Sequence, residues 1–105
     1  MTTFMVVTVE VEDHRALVKD YASIGVPLAE KYGGEIVIRG SKAEVMEGDF
    51  GNNAMVVITK WPSRDAIKAY WNSPEYQAII PARQKVSELR AVIFDDDMGL
   101  VRFDS

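Results

Sequence analysis

The sequence predicts an α+β domain whose elements run in the order βαββαβ, and three observations carry that prediction. Four short runs of β-branched and aromatic residues alternate with stretches of helical periodicity. Capping residues mark where the helices begin, and Gly- and Pro-containing clusters separate the elements. At 105 residues with 48% hydrophobic side chains, the chain has the size and apolar content of one domain with a real core. A single domain over residues 1–105 is expected.

The first strand is residues 3–11, from Thr3 to Val11. Asp13 then offers an N-cap to a helix in which Leu17, Tyr21, Ile24 and Leu28 recur at spacings of four, three and four. Gly25 and Pro27 interrupt that pattern, and Pro27 suits the first position of a second helical piece. Lys31-Tyr32-Gly33-Gly34 closes it, with Gly33 fit for a left-handed C′ position. Residues 35–39 form the second strand, ended by Gly40, and residues 43–47 are expected to extend or restart it. Turn chemistry fills residues 48–53. Residues 54–61 form the third strand, stopped by Pro62. Ser63 caps a helix through Trp71 that presents Ile67, Tyr70 and Trp71 to the core. Ser73-Pro74-Glu75 starts a last helix: N-cap, proline at the first position, acid at the positive dipole end. That helix is expected to reach about Arg90, broken or kinked at Pro81, before a fourth strand over residues 91–94. The order is that of the ferredoxin-like split motif, with a four-stranded antiparallel sheet.

Charge and composition exclude several function classes. Twelve basic and sixteen acidic residues give a net charge of −4, which argues against a nucleic-acid or anionic-membrane partner. No apolar run approaches a membrane span, and the opening residues alternate like a strand rather than a signal segment, so a cytoplasmic protein is expected. The absence of cysteine excludes disulfides, thiolate metal sites and cysteine nucleophiles. Asp95-Asp96-Asp97 lacks the spacing of a calcium loop, and neither a phosphate-binding loop nor a serine-nucleophile elbow occurs. No metal or cofactor is expected.

Two strands are apolar on both faces. In the first, Met5, Val7, Val9 and Val11 oppose Phe4, Val6 and Thr8; in the third, Met55 and Val57 oppose Val56 and Ile58. A half-exposed antiparallel sheet alternates more cleanly, and helices on one side cover only one face. A homodimer through the second face is therefore expected.

Lys31-Tyr32-Gly33-Gly34, Arg39-Gly40, Glu47-Gly48-Asp49, Trp61-Pro62-Ser63, Asn72-Ser73-Pro74-Glu75-Tyr76-Gln77 and Arg83 recur in an order and spacing that resembles the domain of unknown function 1330 family, within the dimeric α+β barrel superfamily. The resemblance spans residues 5–94 and leaves residues 95–105 as an extension, in which residues 100–103 suit a short extra strand. It departs at Ser41, where a second glycine is usual, and at Trp61, where Phe is usual. It implies a ferredoxin-like protomer whose sheet packs face to face on its partner's, and no particular reaction. The superfamily includes cofactor-free and haem-degrading monooxygenases, lactone isomerases and ligand-binding regulatory domains, a likeness of fold alone.

Candidate site residues follow from chemistry. Arg39, placed by alternation on the same face as Val37, needs an anion or a carboxylate partner, and Glu47 or Asp49 is the internal choice. Tyr76 and Arg83 lie two helical turns apart and share a face if Pro81 leaves the register intact; otherwise Tyr76 joins an aromatic core and Arg83 lies on the surface. Tyr21, Arg39, Trp71, Tyr76 and Arg83 are the candidate ligand-binding residues, edging a pocket between helices and sheet that suits a small planar or carboxylated molecule. His14 and Glu47 are the candidate bases, although first-turn residues such as His14 are commonly exposed. Two readings stay open: a cofactor-free enzyme of oxygenase or isomerase type, or a non-catalytic ligand sensor or interaction module in which Arg39 and Glu47 are structural.

Overall fold

The computed structural model describes residues 2–99. Strands β1 (Thr3–Val11), β2 (Glu35–Gly40), β3 (Met55–Trp61) and β4 (Ser87–Asp95) form one antiparallel sheet in the order β2-β3-β1-β4. Between β1 and β2 run α1 (His14–Leu17), a π-helical turn (Val18–Ala22) and α2 (Ser23–Lys31); between β3 and β4 run α3 (Arg64–Trp71) and α4 (Pro74–Val86). The expected α+β architecture is present, with four strands and the ferredoxin-like order. The expected strand at residues 100–103 lies outside the described residues.

Local chemistry sets the helix ends. Asp13, Ser63 and Ser73 each accept a backbone N–H three residues on, from Ala16, Ala66 and Tyr76. Gly33 has a φ of 94°, and the N–H groups of Gly33 and Gly34 donate to the carbonyls of Glu30 and Ala29, the paired bonds of a Schellman close.

Both interior prolines depart from expectation. Pro27 sits inside α2, not at its start, because a wide turn upstream has already re-phased the helix. There Ser23 N–H reaches back five residues to Val18, and the Ser23 hydroxyl donates to the bypassed Lys19 carbonyl at 2.6 Å. Pro81 likewise lies inside α4, which runs through it without a break. Both prolines face solvent, as do Ser23 and Gln77, whose carbonyls lose their helical donors, so water can hydrate those groups.

Helix α4 ends at Val86, not near Arg90, and β4 begins at once. The Ser87 hydroxyl closes the helix on the Arg83 carbonyl (2.7 Å), and pairing with all of β1 draws residues 87–95 into the sheet. Residues 43–47, expected to extend the second strand, lie in the connection from β2 to β3.

The helices cover one face of the sheet. Met5, Trp61, Ile67, Tyr70, Tyr76 and Ile79 form the core beneath them. The outer face carries Phe4, Val6 and Thr8 of β1, Val56 and Ile58 of β3, and Val92 and Phe94 of β4, brought side by side by the strand register. Phe4 stacks on Phe94 at 5.6 Å, while Ile38 and Val92 remain more than half exposed at 59% and 60%. At one corner Asp95 accepts from Thr3 (2.9 Å) and from Arg64 (3.0 Å). Those two bonds, Arg64 first, hold its carboxyl below the usual range.

Candidate functional site

Between the helices and the inner face of the sheet lies a cavity of about 560 Å³. Its walls are largely apolar: Met5, Val7 and Val9 of β1, Met55 and Val57 of β3, Leu89 of β4, and Leu17, Ala22 and Ala29 from the first helical layer. Exposed side chains of α2 (Val26, Glu30) and β2 (Glu35, Ile36, Arg39) form the mouth. Tyr70, Tyr76 and Arg83, all buried, form the closed part of the lining, and Trp61, also buried, lies against the Gly34 corner.

A bulge in β2 decides where Arg39 points. Ile36 pairs with Thr59 and Ile38 with Ile58, so Val37 is the extra residue. Arg39, opposite Val57, thereby joins Ile36 on the cavity side, rather than following the simple alternation with Val37. The expected ion pair with Glu47 or Asp49 does not form. Asp49 instead approaches Arg90 (3.6 Å), which also binds Glu10 (3.3 Å) on the outer face, while Arg39 lies on the inner one. The sheet separates them.

The closed end is a polar cluster in an apolar wall. The Tyr21 and Tyr76 hydroxyls share a hydrogen bond of 2.7 Å, and Arg83 donates to the Tyr76 hydroxyl at 2.8 Å. The Arg83 guanidinium lies 5.8 Å from the ring centroids of both Tyr21 and Trp71. Tyr70 packs at a tilt against Tyr76, ring centroids 4.6 Å apart, and donates to the Gly25 carbonyl at 3.2 Å. Because α4 continues through Pro81, Tyr76 and Arg83 fall on one face; Arg83 is buried, 8% exposed, and is not a surface arginine. The aromatic cluster around Tyr76 is present as expected.

Energetics set Arg83 apart. Burying an unpaired ion costs several kcal/mol. A cation–π contact returns about 0.5–2 kcal/mol and a hydrogen bond about 0.5–1.5 kcal/mol. Among the described residues no carboxylate lies within ion-pair distance of Arg83, and Tyr76 is its sole hydrogen-bond acceptor. Its other N–H groups have no protein acceptor among those residues, and Arg83 lines the cavity.

Burial, then the neighbouring Tyr21, pushes the Tyr70 and Tyr76 phenols well above the usual value, with Arg83 opposing. A raised folded-state value stabilises the fold fully below about pH 10, the unfolded value, and that contribution drains away as pH rises further. An alkaline titration is therefore expected to show two of the four tyrosines ionising only together with loss of circular dichroism. Ionisation of all four before any unfolding would contradict this.

The structure thus brings Tyr21, Arg39, Trp71, Tyr76 and Arg83 to one cavity, with Arg39 at the mouth and Tyr76 and Arg83 deep rather than at its edge. It does not bring His14 or Glu47 there: both are exposed, one in the first turn of α1 and one in the connection from β2 to β3. No group of three side chains able to hold a metal occurs among the described residues. Sequence reasoning missed Gly25 and Tyr70 as parts of the wall. The buried Gly25 sits amid large side chains: a Cβ there would make ordinary contact with Ile79 at 3.4 Å and the Tyr70 hydroxyl at 3.6 Å.

Fold and cavity together define a ferredoxin-like α+β domain with an internal apolar pocket between helices and sheet. The chain belongs to the family described as a domain of unknown function (DUF1330), which matches residues 2–96. Solved structures share the fold. A protein of unknown function from Rhodopseudomonas palustris, RPA0582, aligns with TM-score 0.74 and 20% identity over 89% of this chain and 80% of its own. SnoaB from Streptomyces nogalater, a cofactor-independent oxygenase, aligns with TM-score 0.67 and 17% identity over 96% of this chain and 98% of its own. A conserved protein from Bacteroides thetaiotaomicron, described as a possible oxidoreductase, aligns with TM-score 0.57 and 12% identity over 89% and 95%. No curated protein matches the chain. No helix among the described residues is long and apolar enough to cross a membrane.

Proposed function

We propose that this protein binds a small, largely apolar organic molecule in the cavity between helices and sheet, and that it does so as a homodimer joined through the outer sheet face. The observation that carries the reading is the cavity itself. Its volume of about 560 Å³ falls within the range of small-molecule sites, and its apolar walls converge on a few placed polar groups. Tyr21, Trp71, Tyr76 and Arg83 are the ligand-binding residues in this reading, with Arg39 guarding the mouth. The homodimer is supported by the apolar outer face, which no helix among the described residues covers.

The likeness in fold to a cofactor-independent oxygenase favours a catalytic form of the same reading. In it, the cationic and hydroxyl donors of the closed end would stabilise negative charge developing on the substrate. The exposure of His14 and Glu47, neither of which lines the cavity, favours the ligand-sensor form instead.

Native mass spectrometry of protein purified from its own host tests the reading. A co-purifying small molecule is expected, and Val57→Trp, which narrows the cavity from its sheet wall, is expected to lose it while remaining folded. A ligand retained undiminished by that variant would place the binding elsewhere.

A further inference from the structure

The geometry points to an organic anion, one that seats its charged group on Arg83 at the closed end of the cavity and lays its apolar body towards the mouth. The inference rests on the reading of the cavity as a ligand site and adds the charge and orientation of the occupant.

Arg83 is permanently cationic, buried and without a carboxylate counter-ion among the described residues. Of its five N–H donors, the Tyr76 hydroxyl takes one. The guanidinium lies within cation–π distance of the rings of both Tyr21 and Trp71. Among the described residues the sole sealed side-chain polar atom without a partner is the Thr8 hydroxyl, on the far face of the sheet, so Nε and Nη2 of Arg83, which have no protein acceptor, are not sealed off. Arg83 itself lines the cavity.

The two phenols add one more donor. Tyr21 and Tyr76 have two hydroxyl hydrogens, and their mutual bond uses one. When Tyr21 donates, the Tyr76 hydrogen is spare; when Tyr76 donates, the neighbouring Tyr70 hydroxyl competes for the Tyr21 hydrogen. A guanidinium edge beside a phenolic O–H matches a carboxylate or an enolate, with both oxygens engaged. Arg39 does not offer this: it is exposed at the mouth, where Glu30 and Glu35 also lie and water screens all three. The remaining wall, Met5, Val57 and Trp71 among it, is apolar and suits a flat hydrocarbon body.

The test compares naphthoate with its neutral methyl ester by isothermal titration calorimetry. The native protein is expected to bind naphthoate at least about tenfold more tightly than the ester, the size of a charge-assisted hydrogen bond. Arg83→Met is expected to abolish that preference by weakening naphthoate alone. Arg90→Met, which removes an equal charge from the outer face, is expected to leave it intact. If Arg83→Met does not fold, Tyr76→Phe takes its place, with a several-fold loss for naphthoate and none for the ester. Equal binding of acid and ester by the native protein, or a preference that survives loss of Arg83, would overturn the inference while leaving the cavity a ligand site. Binding of neither probe would remove both.

Discussion

Trp61→Ala is expected to lower the folding stability by about 3–5 kcal/mol, out of the roughly 5–15 kcal/mol that a domain of this kind holds. Trp61 is 2% exposed at the end of β3 and packs on Tyr70 with ring centroids 5.2 Å apart. Its indole N–H donates to the Thr59 hydroxyl at 2.8 Å. The ring also lies flat under the α2–β2 corner, so close that a Cβ at Gly34 would stand 2.7 Å from two of its carbons. The indole therefore ties together β3, the end of the first helical layer and α3. Urea unfolding measures the loss as a fall in midpoint at an unchanged slope. Gly34→Ala forces the same contact from the other side and is expected to cost about 1–3 kcal/mol by overpacking. A Trp61→Ala loss below about 1 kcal/mol would show that the corner does not depend on the ring.

In the proposed homodimer, Ile58→Asp is expected to leave a monomer. Ile58 lies opposite Val6 of β1 and Ile38 of β2, at the centre of the outer face. Two-fold symmetry would place two such carboxylates in one interface, each an unpaired buried charge costing about 3–5 kcal/mol. Dissociation is therefore expected to become easier by at least about three orders of magnitude. Sedimentation velocity reads this directly: twice 11.8 kDa for the native protein and 11.8 kDa for the variant. Circular dichroism is expected to stay unchanged, because the core lies on the opposite face of the sheet. A native protein sedimenting as a monomer would remove the homodimer from the proposed function.

Much of the fold was legible in residues whose effect is local. Asp13, Ser63 and Ser73 cap the helices that follow them because a short oxygen-bearing side chain reaches N–H groups three positions on. The candidate site was legible in part. Tyr21, Trp71, Tyr76 and Arg83 do meet, although Tyr76 and Arg83 lie deeper than the sequence suggested. Arg39 reaches the cavity through a bulge that no residue of β2 announces. The expected Arg39 ion pair failed because the spacing to Glu47 and Asp49 says nothing of which face of the sheet the intervening connection crosses.

By itself the sequence determined the order of the elements, their caps, the left-handed close at Gly33 and the two-sided apolar character of the central strands. These follow from bonds and steric limits within a few residues, and from an alternation that needs no knowledge of neighbours. The tertiary structure alone decided that α4 continues through Pro81, that Ser87 starts a strand, and that Arg83 is buried against Tyr21, Trp71 and Tyr76. Each of those outcomes sets a local preference against contacts with distant segments: nine residues of pairing with β1, a solvated carbonyl beside each proline, an aromatic enclosure for one guanidinium. The distant contacts are the larger sum, and they become available only once the sheet and helices have come together.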